Sequence, residues 1–143
     1  MKNHATASIR EFNRFYTGVI GLLDQHILDS AFSLAEARIL YELYHRQPCT
    51  ASDIITHLSI DKGHLSRILD QFKKRALLTR DKSKADRRAS HLSLTPKGNI
   101  EFEKLNQASE QQIKSLLKKT PVKDRAALVH HMNEIIKILS QAQ

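Results

Sequence analysis

The amino-acid sequence predicts a mainly α chain carrying one small two- to three-stranded β hairpin, and three observations point to that class. Only four glycines and three prolines punctuate 143 residues, so helices should dominate. Apolar residues recur every three or four positions through most of the chain, the period of a helix with one buried face. Between Leu77 and Leu94 that period gives way to two short strand-like runs around a charged tip.

The first helix is expected over about residues 6–29, with Ile9, Phe12, Tyr16, Val19, Leu23 and Ile27 on one face. Phe15, Ile20 and Leu22 add a second apolar flank, whereas a surface helix needs one stripe, so contact with something besides its own core is implied. Gly18 and Gly21 weaken this helix locally. Ser33 and Glu36 form a capping-box pattern for a second helix through Ile39, Leu40, Leu43 and Tyr44, ending before Pro48. Thr50-Ala51-Ser52-Asp53 opens a short third helix containing Ile54, Ile55 and Leu58. After the tight connection Ser59-Ile60-Asp61, a fourth helix runs from about Lys62 to Arg75. Strands are expected over Leu77–Asp81 and Ser90–Leu94, with Lys82–Arg88 as the tip. Thr95-Pro96 and Thr120-Pro121 each read as a helix start, threonine as N-cap and proline at the first helical position. The last two helices use Phe102, Leu105, Ile113 and Leu116, then Val122, Val129, Met132, Ile136 and Leu139, widened by Leu128 and Ile135.

A hydrophobic fraction of 41% and a charged fraction of 27% are those of a soluble globular chain. No run of about 18 apolar residues suggests a membrane span, and the first residues lack the apolar middle of a signal peptide. With Cys49 as the single cysteine, no internal disulfide can form, and a cytoplasmic protein is the expectation. The net charge is +8, and its placement is informative. Between Lys62 and Gly98 eleven basic residues face only Asp70, Asp81 and Asp86; the remaining twelve basic and twelve acidic residues cancel. A solubilising surface would not segregate its charge in this way, whereas a phosphate-facing surface would.

A short helix, a three-residue turn, a longer helix and a two-stranded hairpin occur in winged helix-turn-helix order. In the fourth helix Leu65, Ile68, Leu69 and Phe72 make a buried stripe, and the opposite face presents Lys62, Gly63, Ser66, Arg67, Asp70, Lys73 and Lys74. The expected partner is double-stranded DNA. Ser66 can bond almost any base edge, Arg67 suits the paired acceptors of guanine, and Gly63 lets backbone approach closely. His64 and Lys73 complete the candidate DNA-contacting residues of this helix. In the wing, Arg87 and Arg88 suit the negative potential of a minor groove, Asp86 is expected to pair with one of them, and Lys82 and Lys84 suit looser phosphate contacts. The bland alternative, an amphipathic helix with a solvated face, explains the stripe but not the concentration of basic residues.

At these residues the chain resembles the MarR family of bacterial regulators. The likeness covers roughly residues 32–98: Phe32-Ser33-Leu34-Ala35-Glu36-Ala37-Arg38-Ile39-Leu40, then Ile60-Asp61-Lys62-Gly63-His64-Leu65-Ser66-Arg67, and a wing with Asp86-Arg87-Arg88 followed by Leu94-Thr95-Pro96-Lys97-Gly98. Asn13-Arg14-Phe15-Tyr16 and Ile20-Gly21-Leu22-Leu23 resemble a subgroup in which this domain precedes an acetyltransferase; 143 residues leave no room for that enzyme. The resemblance implies one domain over residues 1–143, with dimerisation helices at about 6–29 and 96–142 and a DNA-binding lobe at about 33–95. It further implies a homodimer on a pseudo-palindromic operator, acting as a repressor released by a small aromatic ligand. His26, Arg38 and Tyr41 are the candidates to line the ligand site, although each such residue is more often structural.

Other chemistries find less support. Eight histidines show no tight ligand spacing, and adjacent His130 and His131 point about 100° apart, so no metal is expected. Some relatives sense oxidants through a cysteine in the first helix, where this chain has none; Cys49 is expected to be buried as a small apolar residue. No nucleophile elbow, phosphate loop or paired-carboxylate motif suggests an enzyme, and no cofactor is expected. A winged-helix module that binds protein instead of DNA is the competing reading, and it would not need the basic window.

Overall fold

The computed structural model describes residues 4–21, 30–82 and 90–142. Among the described residues six helices and one hairpin follow in the order α1 (His4–Val19), α2 (Leu34–Arg46), α3 (Ala51–Leu58), α4 (Lys62–Lys74), β1 (Leu78–Lys82), β2 (Ser90–Leu94), α5 (Pro96–Lys119) and α6 (Val122–Ser140). The described residues fall into two compact units, up to Asn106 and from Gln107.

The first unit holds the core. Leu65, Ile68, Leu69 and Phe72, the stripe expected of α4, are all buried, and they pack with Phe32, Ile39, Leu40, Leu43, Ile54, Leu92 and Phe102. Each such side chain contributes about 1.5–3 kcal/mol on leaving water. β1 and β2 pair antiparallel with Leu78 opposite Leu94 and Arg80 opposite Leu92. Cys49 adds a single bridge to the outer side of β2: its N–H donates to the Leu92 carbonyl at 3.1 Å and its carbonyl accepts from Leu92 at 2.7 Å. The hairpin is therefore two-stranded with one bridge of a third.

The expected caps of α2 and α3 form. Ser33 and Glu36 exchange side-chain and backbone hydrogen bonds, as do Thr50 and Asp53. The bonds from Thr50 hold the Asp53 carboxyl below its ordinary range. Helix α4 ends in a Schellman turn: Ala76 lies in the left-handed region at φ 58°, and the N–H groups of Ala76 and Leu77 donate to the carbonyls of Lys73 and Phe72. Gln47 ties three elements together, its amide donating to the Tyr44 carbonyl and to Asn99 Oδ1 while its Oε1 accepts the Leu94 N–H at 2.9 Å.

The structure corrects three expectations. The first helix does not run on to residue 29: α1 stops at Val19 and Gly21 adopts φ 69°, a conformation open to glycine but costly for other residues. The stretch 22–29 lies outside the described residues. The first strand starts one residue later than expected, at Leu78, because Leu77 completes the turn after α4. Thr120 does not cap α6. Its hydroxyl donates back to Leu116 and finishes α5, and Pro121 becomes the N-cap, without a side-chain bond.

The second unit is little buried by itself. On α6 Val122, Val129, Ile136, Ile138 and Leu139 are exposed, and α1 of the first unit exposes Ile9, Phe12 and Phe15. Among the described residues no helix is long and apolar enough to cross a membrane.

Candidate nucleic-acid interface

Helix α4 presents the candidate surface. Asp61, read from sequence only as part of a connection, is its N-cap, and Oδ2 accepts the His64 N–H at 2.9 Å. An aspartate immediately before a helical stripe was the available signal for that role. With Leu65, Ile68, Leu69 and Phe72 turned into the core, Lys62, Gly63, His64, Ser66, Arg67, Lys73 and Lys74 are exposed on the other side. One side of α4 is thus fixed by packing while the other is cationic and rich in donors.

Gly63 has a reason beyond close approach to a partner. A Cβ there would sit 3.2 Å from Asp61 Oδ2 and 3.6 Å from Arg67 Nη1. The missing side chain thus leaves room for the cap, while Arg67 folds back over the first turn of the helix to ordinary contact distance.

Two further arginines are drawn into structure. Arg75 lies with its guanidinium carbon 4.5 Å from the centre of the Phe32 ring and Nη1 3.8 Å from Glu36 Oε2, so it fastens the end of α4 to the start of α2. Arg80 of β1 places Nη2 3.8 Å from Asp70 Oδ1 of α4. Both count toward the basic window, yet neither presents an unpartnered charge. Sequence separation hid these pairs, since no local pattern joins residue 36 to 75 or residue 70 to 80.

The turn after α4 is tied to the start of α5 by a second set of contacts. Thr95 Oγ1 donates to the Ala76 carbonyl at 2.6 Å and accepts the Gly98 N–H at 3.0 Å, while Lys97 Nζ donates to the Arg75 carbonyl. Lys84, Asp86, Arg87 and Arg88, together with the side chain of Lys82, lie outside the described residues, as does His26.

Arg38 and Tyr41 are one turn apart on α2 and both are exposed. The Tyr41 ring lies 4.3 Å from His45 and 6.1 Å from Phe102, centre to centre. These contacts place Tyr41 at the edge of an aromatic group on α2 and α5; they do not enclose it with Arg38. Among the described residues no cluster of three or more histidine, cysteine or acidic side chains is arranged to hold a metal ion.

Cys49 is buried, as expected, and burial first, then the Asp53 and Glu42 carboxylates, push its thiol above the ordinary range. A thiol held protonated and out of solvent reacts slowly. Cys49→Ala is therefore expected to leave both nucleic-acid binding and its response to peroxide unchanged in a gel-shift titration. A peroxide-dependent loss of binding that disappears in the variant would contradict this.

Residues 32–90 match the model of the MarR family. Over that stretch the chain is similar to the MarR family. Among curated relatives it is 24% identical over 100 residues to the uncharacterized HTH-type transcriptional regulator YdgJ of Bacillus subtilis strain 168, a match covering 70% of this chain. The chain spans only 61% of that relative's length. Its fold is similar to that of BpsR from Bordetella bronchiseptica, in a structure concerning regulation of its DNA binding by 6-hydroxynicotinic acid. There identity is 25%, TM-score 0.70, and coverage 90% of this chain and 98% of that one. FabT from Streptococcus pneumoniae, solved in complex with DNA, is 17% identical with a TM-score of 0.82, covering 96% and 99% of the two chains. The MarR-like winged helix-turn-helix fold expected from sequence is the one observed.

Proposed function

We propose that this protein is a MarR-family transcription regulator, not an enzyme, that binds a pseudo-palindromic operator in double-stranded DNA as a homodimer. The observation that carries the reading is the two-sidedness of α4. Its apolar stripe is locked in the core, and the exposed side places Ser66 and Arg67 near the capped N-terminal end, where a helix in a major groove meets base edges. Lys62 and Lys73 flank them as phosphate contacts, with Gly63 and His64 at the close-approach end. The wing supplies Lys82, Lys84, Asp86, Arg87 and Arg88, with Arg88 as the minor-groove residue.

Dimerisation is supported by apolar side chains exposed on α1 and α6, which water does not favour and a second copy would cover. A two-fold dimer places equivalent helices on half-sites about 10 bp apart. Repression relieved by a small aromatic compound completes the reading, with His26, Arg38 and Tyr41 as the proposed ligand contacts. BpsR, whose DNA binding 6-hydroxynicotinic acid regulates, supports an aromatic acid as the first compound to try.

Selection of bound fragments from a random duplex library, followed by footprinting, tests the proposal. The expected result is an inverted repeat bound by a species of twice 16.4 kDa, with affinity falling steeply as salt rises. Binding to a protein partner with no salt-dependent DNA affinity would favour the interaction-module reading.

A further inference from the structure

Helix α4 carries one side chain of the type that changes charge near neutral pH, His64, and it stands at the margin of the candidate interface. His64 is exposed in the first turn, one residue before buried Leu65 and four before buried Ile68. Gly63, Arg67, Asp70 and Lys74 lie opposite the buried stripe, so His64 falls between the core side and the outer side of the helix. A helix in a major groove meets base edges along the middle of its outer side and backbone phosphates along its margins. Asp61 holds this turn through the His64 backbone N–H, at 2.9 Å, and not through the imidazole.

The charged groups around His64 leave room for an anion. Lys62 and Arg67 flank it on its own helix. The carboxylates of the surrounding elements are engaged elsewhere: Asp61 on the backbone of α4, Asp70 with Arg80 of β1, Asp53 of α3 with Thr50, and Glu36 of α2 with Arg75. Helix α3 also carries His57 and β1 carries Asp81, and among the described residues neither forms an ion pair with His64.

Resting on the reading of α4 as the DNA-facing helix, we propose that His64 makes DNA binding proton-linked: its imidazolium makes a charged phosphate contact that the neutral ring cannot. Between about pH 8 and about pH 6 carboxylates, lysines and arginines keep their charge while histidines change theirs. The Cys49 thiol, buried and pushed up, stays protonated throughout. A bound phosphate favours the charged ring, so complex formation takes up a proton. By reciprocity, affinity rises as the pH falls. The contact is to the DNA backbone and carries no sequence information, so the gain is the same on every duplex.

The test measures binding to a random-sequence duplex and to a duplex selected by the wild-type protein, at about pH 6 and about pH 8, with salt varied at each. Circular dichroism at both pH values confirms that each variant is folded. Wild type should bind both duplexes about tenfold tighter at the lower pH in low salt, with a salt slope steeper by about one contact. His64→Gln should behave at both pH values as wild type does at the higher one. His64→Lys, which carries a fixed charge, should show the steeper slope at both. His57→Gln and His91→Gln, on α3 and β2, should keep the wild-type response. A response that survives in His64→Gln, that disappears in His57→Gln or His91→Gln, or that comes without a change of slope would overturn the proposal. Wild-type protein without salt-dependent DNA binding at either pH would overturn the functional reading itself, a separate outcome from the behaviour of the variants.

Discussion

Gly98→Ala is expected to destabilise the first compact unit by about 1–3 kcal/mol or more, the range of overpacking in a closed site. A Cβ at this position would lie 2.1 Å from the Leu77 carbonyl oxygen, 3.1 Å from its carbon and 3.2 Å from Leu94 Cδ2. Two of those atoms are backbone, so no rotamer change relieves the contact. The carbonyl cannot retreat without loss either, since it accepts the Thr95 N–H at 3.0 Å. Shifting α5 outward would instead break the bonds from Thr95 Oγ1 to Ala76 and from Gly98 to Thr95. Urea titration followed by circular dichroism should show a lower midpoint with an unchanged slope, the mark of altered stability without altered compactness. Gly18→Ala is the internal comparison. It lies in α1 with nothing described within 4 Å of a Cβ, and there alanine should be neutral or stabilising by up to about 1 kcal/mol. A wild-type midpoint for Gly98→Ala would show that the turn after α4 and the start of α5 are not rigidly seated on each other.

This pair of glycines also shows what the sequence could reveal. Periodicity placed α2, α3, α4 and the hairpin within a residue or so because each is short, sharply capped and has one face in a single core. It overran at α1, where the apolar period continues past Gly21 while the backbone turns there; the pattern records which residues seek burial, not where a chain bends. The candidate DNA face was legible for the same reason as the core: the residues left over when Leu65, Ile68, Leu69 and Phe72 are buried must point outward. What stayed hidden was the fate of individual charges. Arg75 and Arg80 look like their neighbours in a basic run, and only tertiary contacts with Glu36, Phe32 and Asp70 distinguish them. Likewise Gly98 was visible only as part of a family pattern, and its physical cause, a carbonyl in the space of its absent side chain, belongs to the packing of two distant elements.

Arg67→Ala is expected to cost about 1–3 kcal/mol on the selected operator, roughly tenfold to a hundredfold, and to relax preference at one base pair in each half-site. Arg67 is exposed, and its Nη1 reaches within 3.6 Å of the space a Gly63 side chain would fill, so the guanidinium lies over the first turn of α4. That is the end of the helix that meets base edges in a major groove, and a planar fork there matches the two acceptors of guanine. Arg67→Lys should recover only part of the affinity and little of the preference, because an ammonium supplies the charge without the fork. Lys73→Ala, near the opposite end of the same helix, should weaken binding to every sequence alike and reduce the salt slope by about one. Binding of the three variants to a duplex library at fixed salt separates these outcomes, since base reading changes the ranking of sequences and phosphate contact does not. If Arg67→Ala ranks the library as wild type does, with unchanged affinity, then Arg67 does not read a base, and Ser66 with the wing must carry the recognition.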